Sequence, residues 1–302
     1  MAFSEDTKRE LARVIPEERC CRVAELSAYY DFDGFLFGDG KYLDFYHFTP
    51  LIARKILTLV KSVFPTAQTH VLAHRARARK NQVYTVRVSG PEEARMIHAA
   101  FRNQSFADAE RRILASVCCR RAYIRGAFLG RGSVTNPKKA YHLEIFTEKY
   151  EVAEKVLHNI NAFGLEARMT TRKGDLLVYL KDGDDIVTLL NLMGAHNALM
   201  HLENVRVEKD MRNRINRLVN CETANVEKTI QAAVEQIDAV ERIRKHMNLS
   251  DLPPKLAEIA ALRIENPYAT LKELGEMANP PISKSGVNYR LQQLIKLSKS
   301  LG

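Results

Sequence analysis

The stretch CCRRAYIRGAFLGRGSV, Cys118–Val134, has a relative earlier in the same chain, CCRVAELSAYYDFDGFL at Cys20–Leu36. The offset between them is 98 residues. Each opens Cys-Cys-Arg-x-Ala, runs through apolar and small residues, and reaches a glycine at the same place, Gly34 and Gly132. Directly before that glycine stands an acid in the first copy, Asp33, and a base in the second, Arg131. Read as helices, the copies carry small residues at four-residue spacing: Ala24 and Ala28 in one, Ala122, Gly126 and Gly130 in the other. Such a stripe lets two backbones approach closely. A glycine inside a helix costs about 1 kcal/mol and needs a packing reason of this kind; the plainer alternative is that Gly126 and Gly130 only form loops.

The likeness continues outward. LDFYHFT (43–49) corresponds to HLEIFT (142–147), and helical runs follow at 50–64 and 148–163. Then come two hairpin-like stretches, HVLAHRARARKNQVYTVRVSG (70–90) and LEARMTTRKGDLLVYLKDG (165–183). Alternation and β-branched content predict the strands. The turns are expected near Arg79-Lys80-Asn81 and near Lys173-Gly174-Asp175. A last helix closes each unit, EEARMIHAAF and DDIVTLLNLMG. The first two-thirds therefore read as an α+β domain with a pseudo-twofold axis, built from two helix–hairpin–helix–hairpin–helix units over residues 1–104 and 105–202, with the two opening helices on the axis.

Composition narrows the class. The chain has 302 residues and a formal net charge of +10, which favours a polyanionic partner such as DNA or RNA. No apolar run is long enough to span a bilayer. The start, MAFSEDTKRELARVIPEERC, is charged and lacks the apolar core of a secretion signal, so the cytoplasm is the expected compartment. The five cysteines, Cys20, Cys21, Cys118, Cys119 and Cys221, include no C-x-x-C pair. A zinc site is therefore not expected, and the vicinal pairs read as buried helix residues. Arg75, Arg77 and Arg79 alternate along one strand, a basic face suited to a phosphate backbone or, more plainly, an edge kept positive against aggregation.

From residue 203 the pattern becomes long helices. A linker over 203–248 contains RNRINRLVNCETAN (212–225). It then carries Val226, Ile230, Ala233, Ile237, Val240 and Met247 at helical steps, which predicts a connecting helix docked on a neighbour in preference to the alternative, a dimerising coiled coil, since the heptads are few. Residues 249–302 give three shorter helices. The first starts at Pro253-Pro254 and stops at Asn266-Pro267. The second opens on a capping box, Thr270 with Glu273. The third is capped by Ser283 and buries Val287, Leu291, Leu294 and Ile295. Lys284, Ser285, Asn288, Tyr289 and Gln292 lie off that buried stripe near the helix start. This is the arrangement of a helix-turn-helix whose second helix reads DNA: Asn288 and Gln292 suit adenine edges, Lys284 guanine or phosphate, and Arg290 and Lys296 the backbone. The alternative is a helical bundle that docks protein.

LSAYYDFDG (26–34) and IRGAFLGRG (124–132) resemble two degenerate copies of the LAGLIDADG motif of homing endonucleases. The resemblance implies central motif helices, a saddle of strands for the DNA major groove, and a catalytic acid before each final glycine that holds metal at a scissile phosphate. A guanidinium repels a metal cation. With Arg131 opposite Asp33 the nuclease centre reads as lost, and Arg131 has two open roles, contact with phosphate or an ion pair with Asp33 across the axis. Taken together, GAFLGRGSVTNP (126–137), RNRINRLVNCETAN (212–225) and ELGEMANPPISKSGVNYRL (273–291) make the whole chain similar to WhiA proteins of Gram-positive bacteria. That resemblance implies a non-enzymatic, nucleoid-associated transcription regulator tied to sporulation, cell division and chromosome segregation. Its expected partner is double-stranded DNA, with another transcription regulator or RNA polymerase as a further partner, and no cofactor, metal or membrane is expected. Two competing readings are a metal-dependent endonuclease or nickase using Asp33, and an RNA-binding splicing helper. The sequence leaves the oligomeric state and the target site open.

Overall fold

The computed structural model describes residues 3–75, 82–102, 114 and 116–301. The chain forms two compact units, 1–208 and 209–302.

The first unit opens with α1 (Phe3–Ala12) and then runs the same course twice. The first repeat is α2 (Arg19–Asp33), β1 (Gly34–Phe37), β2 (Tyr42–His47), α3 (Pro50–Val63), β3 (Gln68–Arg75), β4 (Gln82–Ser89) and α4 (Pro91–Arg102). The second is α5 (Val117–Arg131), β5 (Gly132–Val134), β6 (Leu143–Thr147), α6 (Tyr150–Asn161), β7 (Arg168–Arg172), β8 (Asp175–Leu180) and α7 (Gly183–Met193). Each repeat folds into an antiparallel sheet with the same strand order, β1-β2-β4-β3 and β5-β6-β8-β7. The expected duplication is therefore present strand for strand.

Alternation along the strands explains why each sheet has one buried face. Leu43, Phe45, Val86 and Val88 pack under Ile52, Ile56 and Leu59 of α3, and Leu143, Ile145, Val178 and Leu180 repeat the pattern under α6. Lys173 (φ 54°) and Gly174 (φ 94°) make a two-residue turn between β7 and β8, whose double positive φ suits a right-twisted hairpin. The matching turn expected at Arg79-Lys80-Asn81 lies outside the described residues.

The helices α2 and α5 lie side by side in the middle of this unit. A Cβ on Gly126 would stand 2.6 Å from the Glu25 carbonyl oxygen, so this glycine is what lets the backbones meet. Gly130 differs: a Cβ there would meet Phe32 at an ordinary 3.9 Å. The N-terminal segment, notable in the sequence only for its charge, is α1, and it buries Phe3, Thr7 and Leu11 against α3 and α5.

A single helix, α8 (His196–His246), spans 51 residues. The expected docking of its apolar stripe holds only toward its end. Val226 and Ile230 are exposed, whereas Ala239, Val240 and Ile243 are buried in the core of the second unit. That core is completed by α9 (Pro254–Glu265), α10 (Leu271–Met277) and α11 (Lys284–Ser300). Its largest buried side chain is charged: Arg263, 2% exposed, donates to the Ala269 carbonyl at 2.8 Å, closing the loop after α9. Burial lowers its pKa.

Candidate nucleic-acid interface

In the second unit the local signals produce the expected element ends. Thr270 and Glu273 form the reciprocal capping box of α10, with Glu273 Oε2 accepting from Thr270 N at 2.7 Å and Thr270 Oγ1 from Glu273 N at 3.3 Å. Ser283 Oγ accepts from Gly286 N and caps α11. Val287, Leu291, Leu294 and Ile295 are buried, so the rotation of α11 is fixed. That leaves Lys284, Ser285, Asn288, Tyr289 and Gln292 exposed together at its N-terminal end. Gly275 holds the turn tight: a Cβ there would lie 2.3 Å from the Ile282 carbonyl oxygen, while the Gly275 carbonyl accepts from Ile282 N at 2.9 Å. Arg290, expected to reach phosphate, pairs with Glu258 of α9 at 3.4 Å. Arg75 ends β3 opposite Gln82, and Arg77 and Arg79 lie outside the described residues.

In the first unit the two central helices end together, each running directly into the first strand of its sheet. Asp33 is the last residue of α2 and Arg131 the last of α5. The guanidinium grips both carboxylate oxygens: Nε donates to Oδ2 at 3.0 Å and Nη2 to Oδ1. Of the two roles open to Arg131, the structure shows the ion pair. Those hydrogen bonds push the Arg131 pKa up. Arg131 also stacks over Phe146, 5.5 Å from its centroid. A hollow of about 490 Å³ opens here, lined by Asp33, Arg131, Phe35, Tyr46, Phe146 and Lys149 among others. Two more basic groups respond to the setting. Burial, and then the Arg131 charge, lower Lys8 to about 8. Burial, and then Lys8, lower His47 to about 4. The neutral imidazole accepts from Thr49 N at 2.9 Å, and its Nε2 lies 3.3 Å from the Leu129 carbonyl oxygen. Asp31, two residues before Asp33, is also claimed by the second repeat, through Tyr123 Oη at 2.8 Å and Lys155 Nζ at 2.9 Å.

Further along the same helix pair lie residues that sequence reasoning missed. Glu25, fully buried, pairs with Arg125 of α5 at 2.9 Å and with Lys55 of α3 at 2.5 Å. Arg125 also donates to the Met193 carbonyl and Lys55 to the Leu11 carbonyl, so four elements are tied to one carboxylate. Burial lowers Lys55 to about 8. At the far end, Cys20 and Cys21 in the first turn of α2 face Cys118 and Cys119 in the first turn of α5. Only Cys21 and Cys119 are buried; Cys20 and Cys118 are exposed, so the vicinal pairs are not buried as pairs. Burial pushes Cys21 up to about 12. The equal offsets of both Cys pairs were the signal, readable only once the helices were known to pair.

No helix among the described residues is long and apolar enough to cross a membrane. Three family models match the chain: a WhiA N-terminal LAGLIDADG-like domain over residues 19–100, a WhiA LAGLIDADG-like domain over 120–212, and a WhiA C-terminal helix-turn-helix domain over 215–298. The chain is 43% identical to a probable cell division protein WhiA of Heliobacterium modesticaldum, covering 99% of this chain and 97% of that one. It is 44% identical to the protein of the same description from Alkaliphilus oremlandii, covering 100% and 98%. Among solved structures, full-length DUF199/WhiA from Thermatoga maritima matches with a TM-score of 0.63 at 25% identity, over 100% of this chain and 99% of that one.

Proposed function

The chain belongs to the WhiA family, and from that premise we propose that it is a sequence-specific DNA-binding transcription regulator that does not cleave DNA. Its biological setting, on this reading, is the control of cell division, sporulation and chromosome segregation at the nucleoid in the cytoplasm. The observation that carries the proposal is the polar, exposed start of α11, lying off its buried stripe. Laid in the major groove, Asn288 and Gln292 bond adenine edges and Lys284 bonds guanine or phosphate. Ser285 and Tyr289 sit beside them, and Lys296 holds the backbone further along. Arg290, which also pairs with Glu258, joins Lys296 on the phosphate backbone. The saddle of the first unit adds affinity for the duplex, with Arg75, Arg77 and Arg79 toward phosphate, or contact with another transcription regulator or RNA polymerase.

The loss of cleavage rests on charge. A metal-dependent phosphodiester cut needs a cation held by carboxylates. Here one acid position is a guanidinium, and it occupies both oxygens of the other.

In a binding selection over randomised duplexes, Asn288→Ala should lose discrimination at one base-pair position, worth about 1–3 kcal/mol. Lys296→Ala should weaken binding evenly over all sequences and reduce the salt slope by about 1. Unaltered preference in Asn288→Ala together with unaltered preference in Gln292→Ala would remove α11 as the reader.

A further inference from the structure

We propose that Cys20, Cys21, Cys118 and Cys119 form a tetrahedral tetrathiolate site for one zinc ion, clamping the N-terminal ends of the two central helices. Neither pair is a zinc motif in the sequence, because ligation from one chain segment calls for spacings such as C-x-x-C. The pseudo-twofold axis supplies what the spacing lacks: it brings two Cys-Cys pairs from two repeats to one point.

The geometry is selective. All four sulfurs lie within 4.8 Å of one another. Cys21 Sγ is 3.9 Å from Cys119 Sγ, and Cys118 Sγ is 3.9 Å from Cys119 Sγ. A tetrahedral zinc with Zn–S bonds of about 2.3 Å spaces its ligands about 3.8 Å apart. The sulfurs therefore stand close to the edges of that tetrahedron before any ion is placed. An iron–sulfur cluster interposes its own sulfides and iron atoms between the cysteine sulfurs, and this cage is too small for one. A single disulfide would use two of the thiols and leave the other pair unexplained.

The charge balance fits as well. Four thiols and Zn²⁺ give a Zn(S–Cys)₄ centre of charge −2 and release four protons to solvent. That negative charge falls at the N-termini of two helices, where the backbone dipoles favour an anion. Arg121 and Arg125 line, with Cys21 and Cys118, an adjoining cavity of about 450 Å³, which gives an ion a route to the thiols. One cysteine from each repeat, Cys21 and Cys118, faces that route. The site would complete a series along one helix pair: sulfurs at one end, Glu25 with Arg125 and Lys55 in the middle, and Asp33 with Arg131 at the other end.

The test uses the full chain purified under reductant, without chelator or a metal-affinity tag. Elemental analysis should find one zinc per chain. Cys20→Ser combined with Cys118→Ser changes only exposed positions, and with its circular dichroism spectrum retained it should bring bound zinc to background. Cys221→Ser, on α8, should keep the full equivalent. Stripped protein titrated with Co²⁺ should show the intense visible bands of tetrahedral thiolate coordination, and the count of reactive thiols should fall from five to one. The proposal is overturned if the reduced chain binds neither zinc nor Co²⁺ with these signatures, if the double variant keeps its zinc, or if Cys21 and Cys119 are recovered as a disulfide in metal-free protein prepared without oxygen.

Discussion

A carboxylate that accepts hydrogen bonds on both oxygens from one guanidinium has its charge compensated, and that guanidinium repels a metal cation. Asp33 is in that position, and Lys8 adds a second positive charge to the neighbourhood of Arg131. The same cationic setting, together with burial, keeps His47 neutral down to a pKa of about 4, against 6.5 for an unperturbed histidine. The unfolded chain therefore takes up the His47 proton first on acidification. Stability contributed by neutral His47 is complete above pH 6.5 and is lost as the pH falls through 4, by about 3 kcal/mol over that window. Urea unfolding at a series of pH values should show this loss in the natural chain and a shallower slope in His47→Gln. Equal slopes would show that His47 titrates alike in both states. Part of this was legible in the sequence. The acid and base before Gly34 and Gly132 were visible, and an ion pair between them was one of two open readings. The triad of Glu25, Arg125 and Lys55 was not legible, because its members are far apart in the chain and nothing local marks a charge that a neighbouring helix will bury.

At the scale of the element, the contact between α2 and α5 separates two glycines that look alike in the sequence. Gly126→Ala must push its Cβ against the Glu25 backbone, 2.6 Å away, and so displaces the helix that carries Glu25. It should destabilise the first unit by about 1–3 kcal/mol. Gly130→Ala meets only Phe32 at 3.9 Å, and the helix propensity of alanine should leave it neutral or up to about 1 kcal/mol more stable. Chemical denaturation of the two variants distinguishes these outcomes, and an equal loss in both would mean that the helices do not meet at Gly126. The elements themselves were legible where two signals agreed. Each repeat carried the same periodicity twice, and Thr270 with Glu273 and Ser283 marked helix starts that the structure reproduces. What did not hold was the docking of the earlier part of the α8 stripe. Apolar spacing at Val226 and Ile230 announces an amphipathic helix, but spacing does not say whether a neighbour arrives to cover it. The helix α1 was missed for the opposite reason, since its Phe3, Thr7 and Leu11 face is diluted by charge.

At the scale of the molecule, two units divide the work on the proposed reading. The second unit fixes α11 by its buried stripe and by the close approach at Gly275, so that a short polar face is presented in a defined rotation. The first unit keeps a duplicated LAGLIDADG-like architecture in which Asp33 and Arg131 pair with each other. Fold class was legible because duplication and helix-turn-helix signals are both periodic. The target sequence was not, because base recognition depends on where α11 sits in a groove rather than on which residues it carries. The most direct measurement incubates the purified full chain with fragmented genomic DNA and magnesium, recovers the bound fragments, and sequences both their interiors and their ends. The expected result is a short motif shared by the bound fragments, strands intact within it, and relaxed preference at one position of that motif in Asn288→Ala. Nicks or breaks clustered at one site, dependent on magnesium and abolished by Asp33→Asn, would contradict it.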